Sequence, residues 1–148
     1  MPVFQLASEL AFPPVEGASE EGLVAVGGDF APARLLLAYS QGIFPWPTAE
    51  YEHLWFSPDP RCVLRLESFH LSRRLRRQIL RGGLEIRFDT AFKEVLSHCA
   101  TSSRPGQDGT WITPELREAY CALHRAGYAH SAEAWRDGVL VGGLYGLS

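Results

Sequence analysis

Cysteine, methionine and lysine are all scarce in this chain. Its 148 residues include three cysteines, Cys62, Cys99 and Cys121, and a single methionine. An odd, widely spaced set without a C-x-x-C pair excludes a disulfide framework and that metal spacing, and reads as buried thiols in a reducing compartment. No apolar run approaches the ~20 residues that span a bilayer, so no membrane segment is expected. The first nine residues lack the basic region and apolar stretch of a secretory signal, and the expected compartment is the cytoplasm. Gly82-Gly83 and Gly142-Gly143 stand outside any G-x-G-x-x-G or G-K-[ST] context, so neither is a phosphate loop. His53, His70, His98, His124 and His130 never pair at ligand spacing, and neither Ser57 nor Cys99 sits in a nucleophile motif. No paired carboxylates stand out, and no metal and no cofactor are expected.

Charge is present but unevenly placed. The formal net charge is −3, yet Arg61 to Arg87 holds eight arginines against Glu67 and Glu85, a local +6 that leaves −9 on the rest. Such segregation steers a polyanion without making the whole molecule sticky. Lys93 is the only lysine. Arginine suits bidentate phosphate contact, and a high-GC coding bias yields the same preference.

Along the chain, residues 1–30 read as an irregular arm with one short strand at Leu23 to Val26 and a tight turn at Gly27-Gly28-Asp29. Pro32 opens a helix with Leu35, Leu36 and Tyr39 on its apolar face and Gly42 as its left-handed cap. A non-regular, proline-stiffened segment then carries two aromatic clusters, Phe44-Pro45-Trp46-Pro47 and Leu54-Trp55-Phe56. A boundary near residues 58–61 divides an N-terminal unit, 1–60, from a second, 61–148. Cys62 to Leu66 reads as a strand. Leu71, Leu75 and Ile79 at four-residue spacing predict a helix with a buried stripe, its outer face made cationic by Arg73, Arg74, Arg76, Arg77 and Arg81. Leu84 to Phe88 alternates as a half-buried strand does. Asp89 or Thr90 is expected to cap a helix bearing Phe92, Val95, Leu96 and Cys99, and Thr101 to Gly109 to form a flexible loop. Thr113 and Pro114 start a further helix that Gly127 closes. Asp137-Gly138 between alternating segments is the strongest hairpin signal. The fold class is α+β with a partly antiparallel sheet, and its last strand is expected to leave an open edge.

Rings on a rigid loop suggest a platform for a flat ligand such as a nucleobase; they serve equally to plug a domain junction. Trp46 and Trp111, each in a loop beside a helix terminus, could sandwich or edge-clamp an adenine, with core filling as the alternative. For the arginine helix the two readings are phosphate contact and a solvated face.

Several strings of this sequence are long and specific: Pro32-Ala33-Arg34-Leu35-Leu36 with Tyr39, Gly42 to Trp46, Ser57 to Arg61, His70 to Arg73, Gly109 to Thr113, Glu118-Ala119-Tyr120, His130-Ser131 and Gly142 to Gly146. Together they resemble the bacterial leucyl/phenylalanyl-tRNA-protein transferases. That resemblance implies a cytoplasmic aminoacyltransferase that moves Leu or Phe from aminoacyl-tRNA to the N-terminal Arg or Lys of a protein, marking it for degradation. It also implies a small N-terminal domain followed by an acetyltransferase-like (GNAT) mixed sheet with helices, here incomplete, and no cofactor. Trp46 and Trp111 would hold the 3′-terminal adenosine, with Tyr39 and Tyr120 nearby, and Arg73, Arg74, Arg76, Arg77 and Arg81 would meet the tRNA. Ala31 stands where the family has Ser or Thr, and Phe56 where a second Trp is frequent. The family's Phe-Gly-Glu-Ser-Met-Phe-Ser segment and its Asp-x-Gln pair would follow Ser148, so the catalytic residues are not identified. A non-catalytic tRNA-end-binding fragment is the alternative expectation.

Overall fold

Two small sheets share one apolar core. A computed structural model describes residues 3–48, 51, 53–102, 106 and 109–148. In the first sheet, β1 (Phe4–Leu6) runs parallel to β2 (Leu23–Gly27), which pairs antiparallel with β4 (Leu54–Phe56), and β4 with β3 (Phe44–Pro45). In the second, β5 (Glu85–Phe88), β6 (Ala129–Arg136) and β7 (Val139–Leu147) form an antiparallel meander in that order. Helix α1 (Pro32–Ser40) falls within residues 1–60, while α2 (Arg73–Leu80), α3 (Phe92–Thr101) and α4 (Pro114–Arg125) fall within 61–148. The mixture is α+β.

The starts and stops follow from local chemistry. Pro32 at the first turn of α1 needs no N–H donor there, and the Asp29 carboxylate, lying outside the helix, accepts from the Ala31 N–H at 2.9 Å, while Ala31 at the N-cap supplies no side-chain bond to the first turn. Thr113 caps α4 by accepting from Leu116 N–H at 3.2 Å. Asp137 and Gly138 both have positive φ, 50° and 77°, the backbone a two-residue hairpin between β6 and β7 demands.

The core runs through both units. Val24, Ala25, Phe30, Leu35, Ile43 and Trp55 of the first pack with Phe92, Leu96, Leu116, Tyr120 and Leu123 of the second. Arg34 is buried among them, its guanidinium donating to the carbonyls of Glu9 (3.0 Å) and Ala7 (3.2 Å) and to Asp29 (3.3 Å), which ties the N-terminal arm to α1. That arm is more regular than its composition suggests, since β1 was not expected.

Several other expectations are corrected. The segment after Gly42 is not irregular throughout. β3 and β4 pair within it, and Trp55 is a core residue whose indole N–H donates to the Gly27 carbonyl at 2.9 Å. Cys62 to Leu66 is not a strand; among the described residues no segment pairs with its backbone, and it ends in a short 3-10 turn at Leu66–Ser68. α2 forms where expected, but its stripe is exposed: Leu71, Leu75 and Ile79 meet solvent because no described element packs extensively against the helix. β5 likewise forms without the expected half-burial, with Ile86 and Phe88 open to solvent. Neither Asp89 nor Thr90 is the N-cap of α3. Ala91 is, with no side-chain bond of its own. Cys62 is exposed and Cys99 and Cys121 half-buried, so none is the fully buried thiol expected. Most of the loop expected at Thr101 to Gly109, positions 103–105 and 107–108, lies outside the described residues.

Candidate functional site

The site grows from two turns that hold indoles. Pro45 pairs with Trp55 across β3 and β4, and the next N–H, that of Trp46, donates to the Leu54 carbonyl at 2.9 Å. Trp46 is thereby fixed at the root while the residue stays 46% exposed. Trp111 precedes the α4 cap: its carbonyl accepts from Thr113 N–H at 3.0 Å, and the Thr110 hydroxyl accepts from Ile112 N–H at 3.1 Å. The fold brings these two rings, 65 positions apart in the chain, into a stack with centroids 5.6 Å apart and planes 18° from parallel. A base between them would need the planes roughly 7 Å apart, twice a carbon contact distance, so in this structure the pair is closed and its open surface is on the Trp46 side.

Tyrosines support the stack from below. Trp111 meets Tyr120 edge to face at 6.5 Å, and Tyr120 meets Tyr145 at 5.6 Å. The Tyr39 hydroxyl at the end of α1 hydrogen-bonds to that of Tyr120 in α4, a direct polar link between the two units. Burial raises the pKa of both phenols; the hydrogen bond between them partly offsets this for Tyr39 and pushes Tyr120 further up, so the pair stays neutral at physiological pH. The file continues through Phe92, 6.2 Å from Tyr145, to His124, stacked on Phe92 at 4.3 Å.

The expected cationic residues lie elsewhere. Arg73, Arg74, Arg76, Arg77 and Arg81 are all exposed on or just after α2 and form no ion pair among the described residues. They make a solvated basic face. No ring contact or hydrogen bond among the described residues ties that face to the indoles.

Two polar clusters were not expected. Glu133, 1% exposed, accepts from the backbone N–H of Thr90 (3.0 Å) and Ala91 (2.8 Å), from the hydroxyls of Ser131 (2.8 Å) and Thr90, and from the Trp135 indole (3.2 Å). Burial alone pushes a carboxyl up; these donors outweigh it and bring Glu133 down to about 2. Period-2 spacing from the buried Ala129 and Ser131 was a signal for it, because a strand residue two further on shares their face. Asp89, with φ of 58°, holds His130 Nδ1 at 2.8 Å and accepts from Ser131 N–H at 2.8 Å. That bond lowers the Asp89 carboxyl and raises the His130 imidazole. Its signal was weak: a lone Asp beside a strand end. Among the described residues no group of His, Cys, Asp and Glu could hold a metal ion, and no helix is long and apolar enough to cross a membrane.

Comparison with known proteins agrees along the whole chain. Residues 28–59 match the model of the leucyl/phenylalanyl-tRNA protein transferase N-terminal domain, and residues 63–148 match that of leucyl/phenylalanyl-tRNA protein transferase. Proteins named leucyl/phenylalanyl-tRNA–protein transferase from Syntrophotalea carbinolica and Myxococcus xanthus are 56% and 54% identical to it over all of its length and 64% of theirs. One from Dechloromonas aromatica is 56% identical over 93% of this chain and 59% of its own. The chain thus spans less than two thirds, 59–64%, of the length of these curated relatives. Because residues 63–148 alone are more than half of its length, the chain belongs to the leucyl/phenylalanyl-tRNA protein transferase family.

Proposed function

We propose that this chain carries the RNA-end-binding part of an aminoacyltransferase that moves Leu or Phe from aminoacyl-tRNA to the N-terminal Arg or Lys of acceptor proteins in the cytoplasm. The observation that carries the proposal is the Trp46–Trp111 stack with its half-exposed outer indole. An exposed, rooted indole is a stacking surface for a base, and such a contact contributes about 1–3 kcal/mol. On this reading the 3′-terminal adenosine lies against Trp46 and Trp111 with Tyr39 and Tyr120 beneath, and Arg73, Arg74, Arg76, Arg77 and Arg81 face the phosphates of the tRNA. Residues 1–60 act as the N-terminal domain and 61–148 as the first part of an acetyltransferase-like domain, a reading supported by three antiparallel strands with α3 and α4 packed on one face.

The chemistry needs no cofactor. An aminoacyl ester is already activated: the acceptor's α-amine attacks the ester carbonyl, the C–N bond forms, the ester C–O bond breaks, and the ribose hydroxyl leaves with the proton that the amine gives up. Holding amine and carbonyl together supplies up to ~7–11 kcal/mol of that barrier. The half-buried Tyr39 phenol, held by the buried Tyr120 hydroxyl, is a neutral group that can offer a ribose a hydrogen bond without adding charge.

The test is titration of the chain with leucyl- and phenylalanyl-tRNA at low salt, together with transfer to a peptide beginning with Arg. Trp46→Ala is expected to weaken tRNA binding by about 5- to 150-fold, the equivalent of one stacked base. Equal affinity for Trp46→Ala and wild type, or no tRNA binding at all, refutes the proposal; binding without transfer keeps the RNA-end site and removes catalysis by these residues alone.

A further inference from the structure

Arg61 is an exposed arginine held in place without a carboxylate. Arg34 pairs with Asp29 and Arg87 with Glu85, but Arg61 forms no ion pair among the described residues. Its Nη2 donates to the Gly42 carbonyl and lies 3.5 Å from the Ser57 hydroxyl, and its guanidinium carbon sits 5.3 Å from the centre of the Phe44 ring. Gly42, at φ 74°, makes the turn that presents this carbonyl, and a Cβ there would come within 3.8 Å of Arg61 Nη1. The three anchors hold the planar group in place while its remaining N–H donors are left facing solvent.

Its position relative to the indoles gives it a use. Phe44 stands 6.0 Å from Trp46 edge to face, so the guanidinium is no more than 11.3 Å from the Trp46 ring centre. A single nucleotide bridges that span, with its base on the indole and its phosphate on the guanidinium. We propose that Arg61 is a preset contact for the 5′-phosphate of the nucleoside stacked on Trp46. This rests on the stacking role proposed for Trp46 and adds to it the phosphate that fixes the direction of the RNA strand across the platform. An arginine whose fork is already oriented loses less freedom on binding a phosphate than an exposed one on α2 that no ion pair among the described residues holds.

Adenosine and AMP differ by that phosphate alone, so the full 148-residue chain is titrated with each by calorimetry over a range of salt concentrations. Wild type is expected to prefer AMP by about tenfold at low salt, with the preference shrinking as salt rises. Arg61→Gln is expected to erase the preference and leave the adenosine Kd unchanged, while Arg61→Lys keeps part of it. An AMP preference that survives Arg61→Gln overturns the proposal and leaves the Trp46 platform standing. Failure of wild type to bind either ligand, or equal binding by Trp46→Ala, overturns both. If Arg61→Gln weakens adenosine as well, the loop has moved and Arg61→Lys decides: a retained preference supports the phosphate contact, a lost one refutes it.

Discussion

Replacing Glu133 by Gln tests how the second sheet is joined to α3. The carboxylate takes five donors, three of them on Oε1 and two on Oε2, and two of the five are the N–H groups of Thr90 and Ala91 at the unfilled start of the helix. A shift from 4.5 to about 2 corresponds to roughly 3 kcal/mol of folding stability. Glutamine keeps one acceptor oxygen and turns an amide toward at least two donors, and such mismatches, at ~1–3 kcal/mol each, are the same lost donor interactions reckoned a second way rather than an additional cost. The expected loss at pH 7 is therefore about 3 kcal/mol, a large part of the ~5–15 kcal/mol that holds a domain of this size. Because the folded-state value is depressed, the wild-type advantage is fully present above pH 4.5 and is lost as pH falls toward 2; by pH 3 about 2 of the ~3 kcal/mol is gone. Urea denaturation of both proteins at pH 7, 5, 4 and 3, followed by far-ultraviolet circular dichroism, measures this directly. A difference below about 1 kcal/mol at pH 7, or one that stays constant from pH 7 to 3, would refute the reasoning.

Two further substitutions probe packing and charge. At Gly143 an added Cβ would lie 2.8 Å from Val95 Cγ2 and 3.0 Å from Cγ1, so Gly143→Ala is expected to lift α3 off β7 and cost about 1–3 kcal/mol in urea unfolding, with part of the loss recovered in the double mutant with Val95→Ala; simple additivity would count against a direct contact. Asp89→Asn keeps a residue that tolerates φ of 58° but removes the charge facing His130, so the imidazole should titrate lower by proton NMR. The stability due to that pair is present below the unfolded histidine value near 6.5 and fades as pH rises through the raised one, so the wild-type advantage over Asp89→Asn should shrink between mildly acidic and mildly alkaline pH.

Where residue chemistry acts over one or two turns, the sequence was readable. Asp137-Gly138, Thr113-Pro114 and Gly42 place the hairpin, the start of α4 and the end of α1 because each encodes a local backbone requirement. Strands of two or three residues are too short to display a period, which hides β1, β3 and β4 and makes Trp55 look like a loop aromatic rather than the core residue it is. The run from Cys62 to Leu66 errs in the other direction: β-branched and apolar residues alone do not make a strand without a neighbour to pair with. Glu133 was overlooked because a carboxylate looks like a surface residue until its donors, from Thr90 between β5 and α3 to Trp135 in β6, are folded around it. Spacing similarly placed Trp46 and Trp111 beside helix ends, but only tertiary structure decides whether rings so far apart in sequence meet.

What separates a base-stacking platform from an exposed aromatic loop is stiffness, since a ring that must be ordered at the moment of binding gives back much of what the stack contributes. Trp46 and Trp111 are anchored in series. Backbone hydrogen bonds hold the root of each, Tyr120 props Trp111, and Tyr120 is itself fully buried and bonded to Tyr39. The file then runs through Tyr145 and Phe92 to His124, whose ring nitrogen meets the Ala129 carbonyl at 2.8 Å. Tyr39 comes from α1 and the rest of the prop from α3, α4 and the second sheet, so the rigidity of the platform depends on α1 staying packed against α4. The ring that faces solvent sits at one end of a continuous aromatic column whose other end is locked by hydrogen bonds, and that arrangement suits a surface on which a nucleobase is stacked and held in register.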